Sequence, residues 1–143
     1  MEPDKAENQT TGAGNGFRVL VVDDSLVIRR LMKIYLGRMG IEGIVEAPNG
    51  RKAFEKLGAE KFDLIISDWS MPGKTGLNFL KAVRADKKYA KIPFVMLTAE
   101  GLKGSMAAAI EAGVSKYILK PFNFKIIQKE IGSMLADTVT ESS

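Results

Sequence analysis

Four apolar runs each stop at a polar residue, and this pattern restricts the fold of the chain more than any other. FRVLVV (Phe17 to Val22) ends in Asp23-Asp24, FDLIIS (Phe62 to Ser67) in Asp68, IPFVML (Ile92 to Leu97) in Thr98, and KYIL (Lys116 to Leu119) in Lys120-Pro121. Runs of this length, rich in Val, Ile and Leu and separated by helix-period segments, read as buried parallel strands, because a strand covered on both faces is apolar at successive positions. In open α/β sheets, ligands bind outside the carboxyl ends of the strands. Three carboxylates, a hydroxyl and an ammonium therefore converge on one crevice, a set suited to a divalent cation and a phosphoryl group.

The segments between the runs have helical spacing. Ser25 can cap a helix to about Met39, with Leu26, Ile28, Leu31, Met32, Tyr35 and Leu36 turned inward and Gly40 as its stop. GIVEA (Gly43 to Ala47) reads as a short second strand, and Asn49-Gly50 leads into a helix over Arg51 to Leu57. After Asp68, a turn through Met71-Pro72-Gly73 precedes a helix from about Gly76 to Arg84 with Leu77, Leu80 and Val83 inward. A small-residue helix spans Ser105 to Ala112, and a last helix turns Ile126, Ile127, Ile131, Met134 and Leu135 inward. Five βα units result, a doubly wound parallel sheet. Right-handed crossovers then favour the flavodoxin-like (βα)5 order 2-1-3-4-5, which brings the first and third strands, with Asp23, Asp24 and Asp68, side by side.

With 143 residues, 45% of them hydrophobic, the chain fits one domain over about 17–136, between a disordered N-terminal tail (1–16) and a flexible C-terminal tail (137–143). No apolar stretch has the length of a membrane span, and the N-terminus lacks a signal-peptide core, so the expected location is the cytoplasm. The absence of Cys and His excludes thiolate chemistry, a histidine general base and a phosphohistidine carrier. A net charge of +4 and a pI of about 9.3 invite a nucleic-acid reading, but the 21 Lys and Arg are spread along the chain without a recognition motif. Neither nucleic acid nor membrane is expected as a partner.

Crowded carboxylates repel, and a bound cation relieves the conflict. All-oxygen ligation suits Mg²⁺, for which Mn²⁺ can substitute, with the backbone carbonyl of Ser70 as an extra ligand. A carboxylate can also attack phosphorus, and Asp68, on the central strand, is the best placed. Lys120 would pair with a phosphoryl oxygen as a point charge, and Thr98 would donate a hydrogen bond to another. Taken singly, an Asp-Asp pair is usually a cap, a strand-end Thr a capping residue and Lys-Pro a turn. Their joint position at four strand ends carries the functional reading.

These residues, with the motifs VVDDS, ISDW-x-MPG-x-x-GL, Thr98-Ala99-Glu100 and AGVSKYILKPF, make the chain resemble a bacterial response-regulator receiver domain over about Phe17 to Ala136. Within that family it is most similar to the single-domain chemotaxis regulators. The resemblance implies a two-component signalling switch rather than an enzyme with an external substrate, which catalyses only its own phosphorylation and dephosphorylation. It implies Asp68 as phosphoacceptor and Asp23, Asp24, Asp68 and the Ser70 carbonyl around Mg²⁺. It further implies Thr98 and Lys120 as readers of the phosphoryl group, Tyr117 as the switch aromatic and a cis Lys120-Pro121 bond. The implied partners are a CheA-like histidine kinase, a flagellar motor switch protein and a phosphatase, with the chain itself a monomer. Ser70 stands where Asn is common, which bears on phosphoryl lifetime, and Phe124 and Lys125 replace small residues near the partner surface. That surface is expected on the fourth helix, fifth strand and fifth helix, with Lys103, Met106, Tyr117 and Leu119 as contacts.

Two alternatives differ in class. A haloacid-dehalogenase-like phosphatase shares the Asp nucleophile and Mg²⁺ but needs an acid two residues later, where this chain has Ser70. A stand-alone receiver in a phosphorelay would bind a histidine phosphotransfer domain in both directions.

Overall fold

An apolar strand needs cover on both faces, and alternate side chains of the central strands find it on opposite sides. The computed structural model describes residues 16–69, 75–99 and 103–142. Ser70, the Met71-Pro72-Gly73 turn, Glu100 and nearly all of the N-terminal segment lie outside them. Strands β1 (Arg18–Val22), β2 (Gly43–Ala47), β3 (Leu64–Asp68), β4 (Phe94–Thr98) and β5 (Lys116–Leu119) alternate with helices α1 (Leu26–Arg38), α2 (Gly50–Ala59), α3 (Gly76–Ala85), α4 (Lys103–Glu111) and α5 (Phe124–Ser142). The strands form one parallel sheet in the order β2-β1-β3-β4-β5, the expected flavodoxin-like order.

Val19 and Val21 of β1 join Met32 and Leu36 of α1 and Ile127, Ile131 and Leu135 of α5 in one core layer. Leu20 and Val22 face the other way, against Ala53 and Leu57 of α2, Phe79, Leu80 and Val83 of α3, and Phe94 and Met96 of β4. β3 and β4 are buried at every position. Each large apolar side chain among them contributes roughly 1.5 to 3 kcal/mol of burial, so the three middle strands are the rigid frame on which the site is built.

Helix entry follows the expected chemistry. The side chains of Ser25, Asn49 and Thr75 accept hydrogen bonds from the N–H groups of Ile28, Lys52 and Asn78, which satisfies one exposed donor at each of three helix starts. Gly40 (φ +90°) takes the left-handed turn that ends α1.

The strands begin later than the apolar runs. Phe62 is buried and Ile92 half-buried against the core from the preceding connections, so their hydrophobicity signals packing and not extension. Asp68 and Thr98 belong to the ladders, opposite Leu97 and Leu119. Two inward assignments are corrected, since Leu26 is 51% and Ile126 39% exposed. Apolar residues cover most of the circumference of α1, so periodicity alone does not fix which of them face the sheet. The α5 backbone is helical to Ser142, beyond the expected boundary at 136; it passes through Gly132, and no Gly or Pro follows to stop it.

Candidate functional site

At the carboxyl edge of the sheet, neighbouring strands deliver the polar residues. β1 ends immediately before Asp23, which is 1% exposed, whereas Asp24 points to solvent. Asp68, the last residue of β3, is 5% exposed. Carboxylate oxygens of Asp23, Asp24 and Asp68 all lie within 4.8 Å of one another. Lys120, just past β5, reaches back across β4, with Nζ 2.7 Å from Asp68 Oδ1 and 3.7 Å from Asp23 Oδ2. The Lys120-Pro121 peptide bond is cis.

The local backbone explains this aim. Asp23 N–H donates to the Ala47 carbonyl (3.1 Å), and Ser25 N–H donates to Asp23 Oδ1 (2.9 Å). Asp23 Oδ2 is buried with no hydrogen-bond partner. Next to Asp68, Trp69 N–H donates to the Leu97 carbonyl and Gly76 N–H to the Trp69 carbonyl, each at 2.7 Å. This pulls the start of α3 against the end of β3. A Cβ at position 76 would overlap the Asp68 carbonyl oxygen, so only glycine permits the approach. Sequence reasoning took Gly76 only as a helix start, although a glycine at a first helical position is a signal of close backbone contact.

Burial is the largest influence on Asp23. It raises the carboxyl from 3.8 to about 6, against the lowering effect of the Ser25 N–H bond and with repulsion from Asp68 added. For Lys120, burial acts to lower the pKa, but the hydrogen bond to Asp68 and the charges of Asp23 and Asp68 outweigh it and leave a net rise. The ammonium is therefore a fixed positive charge at neutral pH. Among the described residues, three carboxylates face one ammonium there, a net charge of two negative, and the orphaned Asp23 oxygen faces into the crevice. This oxygen-only, doubly negative donor set fits a hard divalent cation.

The structure brings Asp23, Asp24, Asp68 and Lys120 together. Thr98 is fully buried at the end of β4, beside Asp68 on β3, and its carbonyl accepts from Lys120 N–H at 2.7 Å. Tyr117 lies one strand further out, opposite Met96, half-buried against the core layer that contains Met96. Met96 and Thr98 share a face by strand alternation, so Tyr117 stands on the Thr98 side of the sheet. Sequence reasoning also missed Arg29 and Glu46, which sit behind the Asp23-Asp24 turn and look from sequence alone like ordinary solvated helix and strand charges.

Among the described residues, no helix is long and apolar enough to cross a membrane. The family profile described as "Response regulator receiver domain" matches residues 19–132. The chemotaxis protein CheY1 of Helicobacter pylori is 42% identical over 119 residues, covering 82% of this chain and 96% of that protein. A chemotaxis protein CheY homolog of Campylobacter jejuni is 40% identical, with 82% and 92% covered. Among solved structures, chemotaxis protein CheY4 of Vibrio cholerae superposes with a TM-score of 0.77 at 37% identity, covering 82% of this chain and 97% of that one. With the receiver profile spanning most of the chain and the strand order and acidic crevice in place, the chain belongs to the response regulator receiver family of two-component signalling.

Proposed function

We propose that the chain is a cytoplasmic phosphorylation switch in which Asp68 accepts a phosphoryl group from a CheA-like histidine kinase with Mg²⁺ bound beside it. The single observation that carries this reading is the crevice charge among the described residues: Asp23, Asp24 and Asp68 meet within 4.8 Å against the ammonium of Lys120, with Asp23 Oδ2 unsatisfied. The working unit is the receiver domain over about 17–136. Asp23, Asp24 and Asp68 would hold the cation, together with the carbonyl of Ser70. When bound, the cation neutralises charge on the phosphoryl oxygens.

An Asp68 oxygen attacks phosphorus as the P–N bond to the donor imidazole breaks, and the bonding pair leaves on that nitrogen. The Lys120 ammonium, 2.7 Å from Asp68 Oδ1, then bonds a phosphoryl oxygen in place of the carboxylate it now holds. The Thr98 hydroxyl donates to another. Charge-assisted hydrogen bonds contribute roughly 1.5 to 3 kcal/mol each, so these two could supply much of the roughly 5.5 kcal/mol that takes a two-state equilibrium from 1:99 to 99:1. Inward movement of Thr98 vacates space beside Met96, and Tyr117 turns towards it.

The output surface is the α4–β5–α5 face, where Met106, Ile110, Leu119 and Ile126 are exposed. The relatives' roles in chemotaxis favour a flagellar motor switch protein as the partner on this face, with a phosphatase closing the cycle. Affinities for a motor switch protein and for a histidine phosphotransfer domain are to be measured with and without beryllofluoride, a phosphoryl mimic. A gain for the switch protein only with beryllofluoride is expected. Binding confined to the phosphotransfer domain would instead place the chain in a phosphorelay.

A further inference from the structure

Asp23 has four polar groups, and three are committed within the protein. Its N–H donates to the Ala47 carbonyl, its Oδ1 accepts from Ser25 N–H, and its carbonyl accepts from Arg29 Nη1 at 2.8 Å. Only Oδ2 is left for the crevice. Arg29 lies in the first turns of α1 and reaches back under the loop, while its Nε donates to Glu46 Oε1 on β2 at 3.0 Å. Both side chains are largely buried, at 14% and 18% exposure. Arg30 approaches the same Glu46 at 3.2 Å but is 63% exposed and makes no hydrogen bond to Asp23 among the described residues.

Because the peptide is planar and trans, the direction of the Asp23 carbonyl sets the opposite direction of the Asp24 N–H and the starting point of the Asp24 side chain. A guanidinium fork bonded to two acceptors holds that carbonyl at a fixed angle, which a point-charge ammonium cannot do. An uncompensated cation one peptide behind a cation site would weaken it, and Glu46 neutralises Arg29. The geometry points to Arg29, anchored by Glu46, as a positioning residue that sets the Asp23-Asp24 turn for divalent-cation binding. This inference rests on the cation reading above.

The test is Mg²⁺ titration of the full chain, followed by calorimetry and by the fluorescence of Trp69, with urea unfolding measured in parallel. Arg29→Met is expected to weaken Mg²⁺ about tenfold, the low end for a partner behind a metal ligand. Glu46→Gln, which keeps the Nε acceptor and loses the charge, should weaken it by a smaller factor, and Arg30→Met should leave it unchanged. Lower stability with wild-type Mg²⁺ affinity in Arg29→Met would make the contact structural only and overturn the inference. Equal weakening by Arg30→Met would do the same. Should Arg29→Met fail to fold, Glu46→Gln decides, and unchanged affinity there overturns the inference. A wild-type chain without any Mg²⁺ response overturns the cation reading itself, and this inference with it.

Discussion

Replacing Asp23 by Asn should stabilise the metal-free protein at neutral pH, although it removes a carboxylate of the proposed cation site. Burial raises the Asp23 carboxyl from 3.8 to about 6. Below pH 4 the group is protonated in both folded and unfolded chains and costs nothing. Between pH 4 and 6 the folded state retains a proton that the unfolded state has released, so stability falls as pH rises. Above pH 6 the full cost applies, and a shift of about two units corresponds to about 3 kcal/mol. Asn keeps an oxygen for the Ser25 N–H but places an amide near the Lys120 ammonium, now 3.7 Å from Oδ2, which offsets part of the gain. Urea unfolding in chelator should therefore show Asp23→Asn more stable than wild type by about 1 to 3 kcal/mol at pH 7.5 and nearly equal to it at pH 4. Mg²⁺ should reverse the order at pH 7.5, because ligand binding stabilises only the chain that binds it. A gain of the same size at both pH values, or no gain at pH 7.5, would refute the burial argument.

The same proton competes with the cation, so Mg²⁺ affinity should weaken as pH falls through 6, as Trp69 fluorescence titrations would report; a flat profile from pH 5 to 8 removes Asp23 from the cation site. Gly76→Ala forces the start of α3 away from the Asp68 carbonyl, at a cost of about 1 to 3 kcal/mol in urea unfolding together with slower phosphorylation, and wild-type behaviour in both assays would contradict the close approach. Thr98→Ala and Lys120→Arg should still take up phosphoryl, more slowly, yet lose the beryllofluoride-dependent gain in partner affinity, and a full gain in either variant takes that residue out of the switch.

The polar strand ends were legible because the central strands are nearly all apolar and keep most of their polar groups where the sheet stops, and the strand order because right-handed crossovers between parallel strands allow few orders. Asp23, Asp68, Thr98 and Lys120 were readable for that reason. Residues whose role depends on a contact across the fold were not. Gly76 matters because of the Asp68 backbone beside it, and Arg29 because of Asp23 and Glu46, contacts that no local pattern encodes. The exposure of Leu26 was also hidden, since Leu26, Val27, Ile28, Leu31, Met32, Ile34, Tyr35 and Leu36 leave α1 without a clear polar face.

The central claim is that Asp68, held beside the carboxylates of Asp23 and Asp24 and the ammonium of Lys120, is the phosphoacceptor. Its most direct test is intact-mass measurement after incubation with acetyl phosphate and Mg²⁺. Wild type should gain one phosphoryl group that is labile to acid and base and absent when Mg²⁺ is chelated, and Asp68→Asn should gain none. Labelling of Asp68→Asn at the wild-type rate would contradict the account.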